Sequence, residues 1–590
     1  MKLKKLPEQI SNFDEIITKG FAYIDKTKFI EKIEDNFKVP LFLRPRRFGK
    51  TLFTDLLAQY YDINSGDNFE TLFGNTYIGK NPTPYRNSYY ILRLDFSGIN
   101  AKDIETSFFN KVLKSIRSFC SKYRDLHITI DQNAGNAAAL IDSFFSSFAE
   151  ARPRDRDRIF IIIDEYDNFA NDILASNVTQ FQEMTSADGF VKNFYASLKA
   201  EANSNNSAVG RFFITGVSSI MISSVTSGFD SKNISDLPEF NEMAGFTEEE
   251  LRTLIRETLD LSLYEGRFTE NDLLRRMKLC FDGYLFSETG RHHLFNPSMC
   301  INYLNTVKSL GCMTNQYDDP NIDLDVSKFS KLMELINERD RMVITRRMAL
   351  ADDTGKNYLA LNSLRKNLNI NIGVPFSLAE GVSMLYYLGY LTLNSSESGI
   401  VVFRIPNLCY RKLFTRYYLS VFFNDGILSE ADESLPDLET TADIRPLISG
   451  MSEIISGIIP ANEKDVTERA IVSIAGTLIL SNLQNSEITT EYEIRHHGVR
   501  TRDRADLVIL NSNEQRPSYL IEFKYRRETA EHDAATKARN IAAAKQEARE
   551  QLAKYLTDDR LKETPNLHKF IIVYAYGELV WEEWNDTSGG

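Results

Sequence analysis

Residues 39–53 read VPLFLRPRRFGKTLF. An apolar run ends at Leu43, a basic turn with one glycine follows, and Lys50 and Thr51 open an amphipathic stretch over 51–61. A turn between a strand and a helix points backbone N–H groups and a helix N-terminus at an anion. In that setting Gly49 lies in the cradle of a nucleotide, and Lys50 is expected to reach the β- and γ-phosphates of ATP. The Thr51 hydroxyl is expected to ligate Mg²⁺. The pattern G-x-x-x-x-G-K-[ST] lacks its first glycine, because Arg44 stands there with Pro45 behind it. Were positive φ needed at that position, a non-glycine residue would cost about 1–2 kcal/mol. That is about tenfold in affinity. Arg46 and Arg47 are expected to offset it by pairing with phosphate oxygens.

A short GKT occurs by chance in ordinary sequences, so its partners decide the reading. IFIIIDEYD (159–167) is a buried-type strand ending in Asp164 and Glu165. There Asp164 would hold Mg²⁺ and Glu165 would orient or deprotonate the attacking water. RFFITGVSS (211–219) ends a further strand, with the hydroxyls of Thr215 and Ser218 placed to sense a γ-phosphate. The structural alternative is a set of strands that merely end in polar turns.

Outward from this core, VPLFL (39–43), YYILRLDF (89–96), IFIIID (159–164) and RFFITG (211–216) are apolar runs with amphipathic stretches such as 102–120 between them. Such runs predict a parallel sheet covered on both faces. The stretch 241–319 reads as helical, opened by GFTEEEL, where Thr247 and Glu250 have capping-box spacing. In 320–423, LAEGVSMLYYLGYLTL (378–393) before VVFRI (401–405) predicts a helix feeding a hairpin, a winged-helix-like arrangement. The acidic stretch 424–444 reads as a linker. In 445–590, strands are expected at 505–510, 518–524 and 569–576, with a long helix over 529–556.

The 590 residues suit three or four folding units. Five scattered cysteines without a C-x-x-C exclude a disulfide framework and a structural zinc site. No stretch approaches the roughly 20 apolar residues of a membrane span, and MKLKKLPEQISNFDE lacks the apolar core of a secretion signal. A cytoplasmic protein is expected. The net charge of −13 weighs against a nucleic-acid partner, although a local basic groove can still grip phosphates. Basic runs lie at 44–47, 152–158 and 500–504; the one at 152–158 reads as a solvated face.

RADLVIL (504–510) and YLIEFKY (519–525) carry a second chemistry. Glu522 and Lys524 sit two apart on a strand, hence on one face. Metal-dependent phosphodiester cleavage needs carboxylates around a divalent ion and a cation to serve the attacking water. Asp506 and Glu522 are the expected metal ligands, aided by the Phe523 carbonyl, with Lys524 serving the water. Glu468 lies in a predicted helix upstream, and Gln551 and Tyr555 share a helix face at i, i+4. The alternative for Glu522 and Lys524 is an ion pair at a sheet edge.

Asp506 followed by Glu522-x-Lys524 is the PD-(D/E)XK signature, and Gln551-x-x-x-Tyr555 is similar to the Q-x-x-x-Y element of RecB-type nucleases. Together with FAYIDKT (21–27), FLRPRRFGKTL (42–52), FIIIDEYD (160–167), FITGVSSIMISSVTSGFD (213–230), PEFNEMAGFTEEEL (238–251), FDGYLFS (281–287) and LYYLGYLTL (385–393), these motifs resemble bacterial AAA-ATPase-like proteins fused to a PD-(D/E)XK nuclease module. The likeness spans nearly the whole chain in the family's order, and the missing first glycine is typical of that family. It implies an α/β chain: an AAA-like P-loop sheet (1–240) with a helical lid (241–319), a mainly helical winged-helix-like region (320–423), and a C-terminal PD-(D/E)XK fold (445–590). Asp25, Lys26 and Thr27 would lie over the base or simply cap a helix. Asp282 and Tyr284 would pack the lid on the core.

The expected function is ATP binding or hydrolysis coupled to a Mg²⁺- (or Mn²⁺-) dependent nuclease acting on DNA. Related ATPases would add assembly of a homo-oligomer through the ATPase domain. The competing reading is an ATP-switched scaffold that binds nucleic acid or protein without cutting.

Overall fold

The computed structural model describes residues 3–100, 102–131, 134–154, 157–174, 178–185, 189–204, 206–218, 231–313, 326–349, 358–364, 374–397, 400–411, 413–414, 417, 435–458, 468–483, 486–496, 499–511, 515–526 and 532–585. The apolar runs of the N-terminal part form β1 (Pro40–Leu43), β2 (Tyr89–Asp95), β3 (Arg158–Asp164), β4 (Val209–Gly216) and β5 (Lys232–Asn233). They pair in the order β2-β3-β4-β1-β5, all parallel. Ile159 to Ile163 are wholly buried, as strands covered on both faces must be. The cover includes α1 (Lys50–Tyr61), α2 (Ile104–Lys122), α3 (Ala137–Ala151) and α4 (Phe190–Ala202). Since β1 and β3 both run parallel to the intervening β4, the turns that follow them open at the same end of the sheet.

The lid consists of α5 (Glu248–Thr258), α6 (Glu270–Phe281) and α7 (Pro297–Leu310). The expected capping box at Thr247 and Glu250 is present in both directions. Next, α8 (Leu378–Tyr387) feeds a hairpin of β7 (Thr392–Glu397) and β8 (Ile400–Arg404), joined by β6 (Leu359–Leu361) in the order β6-β8-β7. The helix-then-hairpin expectation matches this.

The C-terminal sheet comprises β9 (Ser486–His496), β10 (Val499–Asn511), β11 (Ser518–Arg526), β12 (Leu567–Ala575) and β13 (Glu578–Glu583), ordered β13-β12-β11-β10-β9. Only the β11–β12 pairing is parallel. One face packs α9 (Arg445–Ile458) and α10 (Glu468–Asn482) over Leu507, Ile509, Ile521 and Phe523. The other packs α11 (Ala534–Tyr555) over Val508, Leu510 and Leu520.

Two expectations need correcting. The stretch 424–444 is not linker throughout. Leu435, Leu438 and Ile444 are buried in the C-terminal core, and the Tyr519 hydroxyl lies 2.6 Å from the carbonyls of both Leu438 and Thr441. An acidic composition hid three well-spaced apolar anchors. Nor is 152–158 a solvated face at Arg152, which is buried and donates to Asn206 Oδ1 at 2.6 Å.

A strut joins the lid to the C-terminal sheet. Arg276 of α6 is buried and donates to the carbonyls of Ile488 (3.0 Å) and Ser486 (3.4 Å) on β9.

Candidate functional sites

The first site is a cleft of about 620 Å³ around the turn between β1 and α1, lined by Arg46, Arg47, Gly49, Lys50, Thr51 and Glu165, with lid residues opposite. The turn takes its shape from Arg47 (φ 70°) and Gly49 (φ 90°). Arg44, at the missing glycine's position, has no positive φ, so the strain anticipated there does not arise. Its side chain does other work. The guanidinium is 1% exposed and donates to the carbonyls of Leu43 (2.8 Å), Ser235 (2.9 Å), Phe240 (2.9 Å) and Asn241 (3.3 Å). It also stacks on Phe42 (4.4 Å) and Phe286 (4.2 Å). Burial lowers its pKa to about 9. Arg44 is thus a strut between the phosphate loop, the segment after β5 and the FDGYLF motif.

Neighbouring loop residues are held similarly. Phe48 meets Tyr284 and Phe286 edge-on at 4.9 and 5.2 Å. At Gly389 (φ 87°), a Cβ would come within 2.7 Å of Pro45, so the glycine after α8 allows that close approach. Tyr284 therefore has the packing role expected of it. Lys26 and Glu250 form a second clasp, with 2.7 Å from the ammonium to each carboxylate oxygen. Asp25 accepts from the Thr27 amide and hydroxyl at 2.8 and 2.7 Å, a capped turn, while Lys26 also lines the cleft.

Lys50 is nearly buried, and its ammonium donates to the Arg44 and Pro45 carbonyls at 2.9 and 3.0 Å. Burial lowers its pKa to about 8, against the pull of Asp164 and Glu165. Asp164 ends β3 beside Thr51, and the Thr54 hydroxyl lies 3.4 Å from it. Burial raises the pKa of both Asp164 and Glu165. Glu165 adopts φ 51°, a left-handed conformation costing a β-carbon residue about 1–2 kcal/mol. That strain turns a charged side chain into the cleft. Arg46 donates to Asn168 Oδ1 at 2.8 Å.

The hydroxyls expected to sense phosphate are committed elsewhere, which corrects that reading. Thr215 is fully buried and donates to the Phe42 carbonyl at 2.9 Å, tying β4 to β1. The Ser218 hydroxyl and amide donate to Asp167 at 2.8 and 2.6 Å. Position along a strand gave no warning that these side chains point into the sheet. Residues 219–230 of the same motif lie outside the described residues.

The second site lies on the α11 face of the C-terminal sheet. Asp506, Glu522 and Lys524 share parity with Val508, Leu510 and Leu520, whose side chains pack on α11. β11 is the third of five strands, so the alternative of an ion pair at a sheet edge fails. Glu522 and Lys524 are 1% and 2% exposed, and the ammonium lies 2.7 Å from Glu522 Oε1 and 2.9 Å from the Phe523 carbonyl. Asp506 Oδ2 accepts from the Phe523 amide at 2.8 Å. Glu468, at the start of α10, accepts from the Tyr525 amide at 3.1 Å and stands 3.6 Å from the Lys524 ammonium.

Three carboxylates thus surround one buried ammonium. Burial, reinforced by the charge of Asp506, pushes the Glu522 pKa up to about 8. For Lys524, burial opposes charge, but Glu522, Glu468 and Asp506 outweigh it and raise the pKa. Glu522 Oε2 is buried without a hydrogen-bond donor. The surplus negative charge and that oxygen fit a divalent cation. Among the described residues no three His, Cys, Asp or Glu side chains are grouped to hold an ion by themselves. Mg²⁺ is nonetheless commonly held by one or two carboxylates with water and phosphate oxygens. A cation drawing on the Phe523 carbonyl would compete with Lys524 for it. Gln551 and Tyr555 lie on α11, and Gln551 Oε1 is buried without a donor.

No described helix is long and apolar enough to cross a membrane. Residues 7–226 match the family described as "Predicted AAA-ATPase", and residues 477–584 match the PD-(D/E)XK nuclease superfamily. A relative from Azotobacter chroococcum mcd 1, described as "Uncharacterized protein in vnfD 5'region", is 26% identical over 255 residues, or 42% of this chain. The match spans 44% of that relative's length. The chain carries, in this order, an AAA-ATPase-like domain and a PD-(D/E)XK nuclease superfamily domain.

Proposed function

We propose that this protein binds and hydrolyses ATP and couples that cycle to Mg²⁺-dependent cleavage of DNA. The observation that carries the nuclease half is the buried Glu522–Lys524 pair beside Asp506, on a central strand with a surplus of negative charge. A structural ion pair has no use for three carboxylates around one ammonium, because each uncompensated buried charge costs stability. Asp506 and Glu522 would hold the divalent ion, which when bound supplies Lewis acidity toward a phosphodiester oxygen. Lys524, its ammonium kept charged, would orient the attacking water and neutralise charge developing on the phosphate. Glu468 fixes the end of β11 through the Tyr525 amide and steadies that ammonium.

At the nucleotide site, Gly49, Lys50 and Thr51 would hold the phosphates and Mg²⁺ together with Asp164. Release of Lys50 from the two loop carbonyls would be the first response to a triphosphate. Arg46 and Arg47 are exposed and line the cleft, and would turn to phosphate oxygens, Arg46 giving up its bond to Asn168. Glu165 would act on the attacking water.

The test is plasmid incubated with protein, Mg²⁺ and ATP. Cutting should be lost in Glu522→Ala and Lys524→Ala; cutting that survives both overturns the nuclease reading. The net charge of −13 favours a second reading, a non-cutting scaffold. Metal-independent DNA retention on a filter with no product at any ATP concentration would establish that instead.

A further inference from the structure

A larger cavity, of about 950 Å³, lies away from both sites, between α6 of the lid, the segment after β8, and the β9 edge of the C-terminal sheet. Its size is at the upper end of small-molecule pockets. In a chain of net charge −13, its lining is rich in arginine and lysine.

Most of the charges there are already satisfied. Glu248 takes Arg252 and Lys278 at 2.9 and 3.1 Å. Asp558 accepts from the Tyr492 hydroxyl and the Arg495 amide at 3.2 and 2.7 Å. Two guanidiniums are left over. Among the described residues Arg404 bonds the Gly283 and Pro406 carbonyls and His293, at 3.2, 3.4 and 3.5 Å, and has no carboxylate within ion-pair distance. Arg495 has no carboxylate within ion-pair distance among the described residues. The positive field is felt locally: burial, then Arg404 and Lys278, lower the His293 pKa to about 4.

One carboxylate oxygen is short of a partner in the opposite sense, although the Gly283 amide and the charges of Lys278 and Arg404 act on its group. Asp282 is 6% exposed and lines the cavity, and its Oδ1 is buried with no donor. An orphaned buried acceptor costs about 1–3 kcal/mol, so it implies something that donates to it. A simple anion would neutralise the arginines and leave Asp282 wanting. A simple cation would do the reverse. A ligand with an N–H donor at one end and phosphate at the other answers both, and Leu279, Ile405, Leu408 and Val472 offer an apolar wall for a planar ring.

We propose that this cavity binds a nucleotide, separate from the ATP cleft, with its base donating to Asp282 and its phosphate on Arg404 and Arg495. Because the walls come from the lid and from the C-terminal sheet, such a ligand would bridge the two.

The test is titration calorimetry on the full-length protein saturated with Mg²⁺ and a non-hydrolysable ATP analogue. The probes are AMP, GMP, CMP and UMP and their 5′-phosphorylated dinucleotides. At least one should bind, and Asp282→Asn and Arg495→Glu should each weaken it about tenfold to a hundredfold. Among the described residues the Arg495 side chain makes no hydrogen bond or ion pair, so that variant separates ligand loss from misfolding. The proposal is overturned if no probe binds at millimolar concentration or if both variants bind as the parent does. It is also overturned if only longer single strands are held, which would make the cavity part of a nucleic-acid path.

Discussion

Arg44→Gly restores the glycine that the phosphate-loop pattern calls for, and the structure predicts that the change is harmful. The guanidinium satisfies four carbonyls at 2.8–3.3 Å and fills the space between Phe42 and Phe286. Removing it leaves those acceptors buried, at about 1–3 kcal/mol for each one that neither water nor a neighbour can reach. The ring contacts add about 1–2 kcal/mol. Against this stands relief from desolvating the cation, visible in its lowered pKa. A net loss of about 3–5 kcal/mol is expected, worth roughly 10 °C in melting temperature for a domain of this size. Arg44→Lys should fail too, since an ammonium cannot span four carbonyls as a planar fork does. Differential scanning fluorimetry with and without ATP reads both effects. A glycine variant that melts with the parent and binds ATP more tightly would refute the assignment of Arg44 as a strut.

Other outcomes follow from single contacts. Thr215→Val should cost about 1 kcal/mol and leave ATP turnover within about twofold, measured by phosphate release; a collapse of turnover would reinstate the sensing role. Lys26→Met should loosen the lid and lower the melting temperature, while Lys26→Met with Glu250→Gln should lose less than the two single changes together, since the pair acts as a unit. For Glu522, the folded pKa of about 8 lies above the unfolded value of 4.5. Its contribution to stability is therefore full below pH 4.5 and is lost as pH rises through about 8. In urea titrations without divalent ions, stability should decline across that window, and Glu522→Gln should flatten the decline. By the same logic Mn²⁺ should bind more tightly with rising pH.

Much of this architecture could be read from periodicity. The four long runs of the N-terminal sheet became strands with ends within two residues of expectation, because unbroken apolar runs such as Ile159–Ile163 have few alternatives to a doubly covered sheet. The expected helix at 529–556 proved to span 534–555. Strands β9 and β13 escaped notice. Each mixes charged and apolar residues at a sheet edge, where one side is solvent and the pattern is weak. Glu522 and Lys524 share a face as their spacing suggested, and Asp506 and Glu468 lie with them as the resemblance implied. Side chains spent on internal bonds were not legible: Arg44, Asp167 and Thr215 carry residue types that suggest catalysis, and only coordinates reveal which partner each has taken.

The arginine that reaches from α6 to β9 has a bearing on solubility. β9 is the outermost strand of its sheet, and bare outer strands invite pairing with a second chain. By occupying the Ile488 and Ser486 carbonyls, Arg276 shields that border against intermolecular strand addition. A C-terminal fragment cut free of the lid would present those acceptors to its neighbours. Such a fragment should self-associate at concentrations where the intact chain stays dispersed.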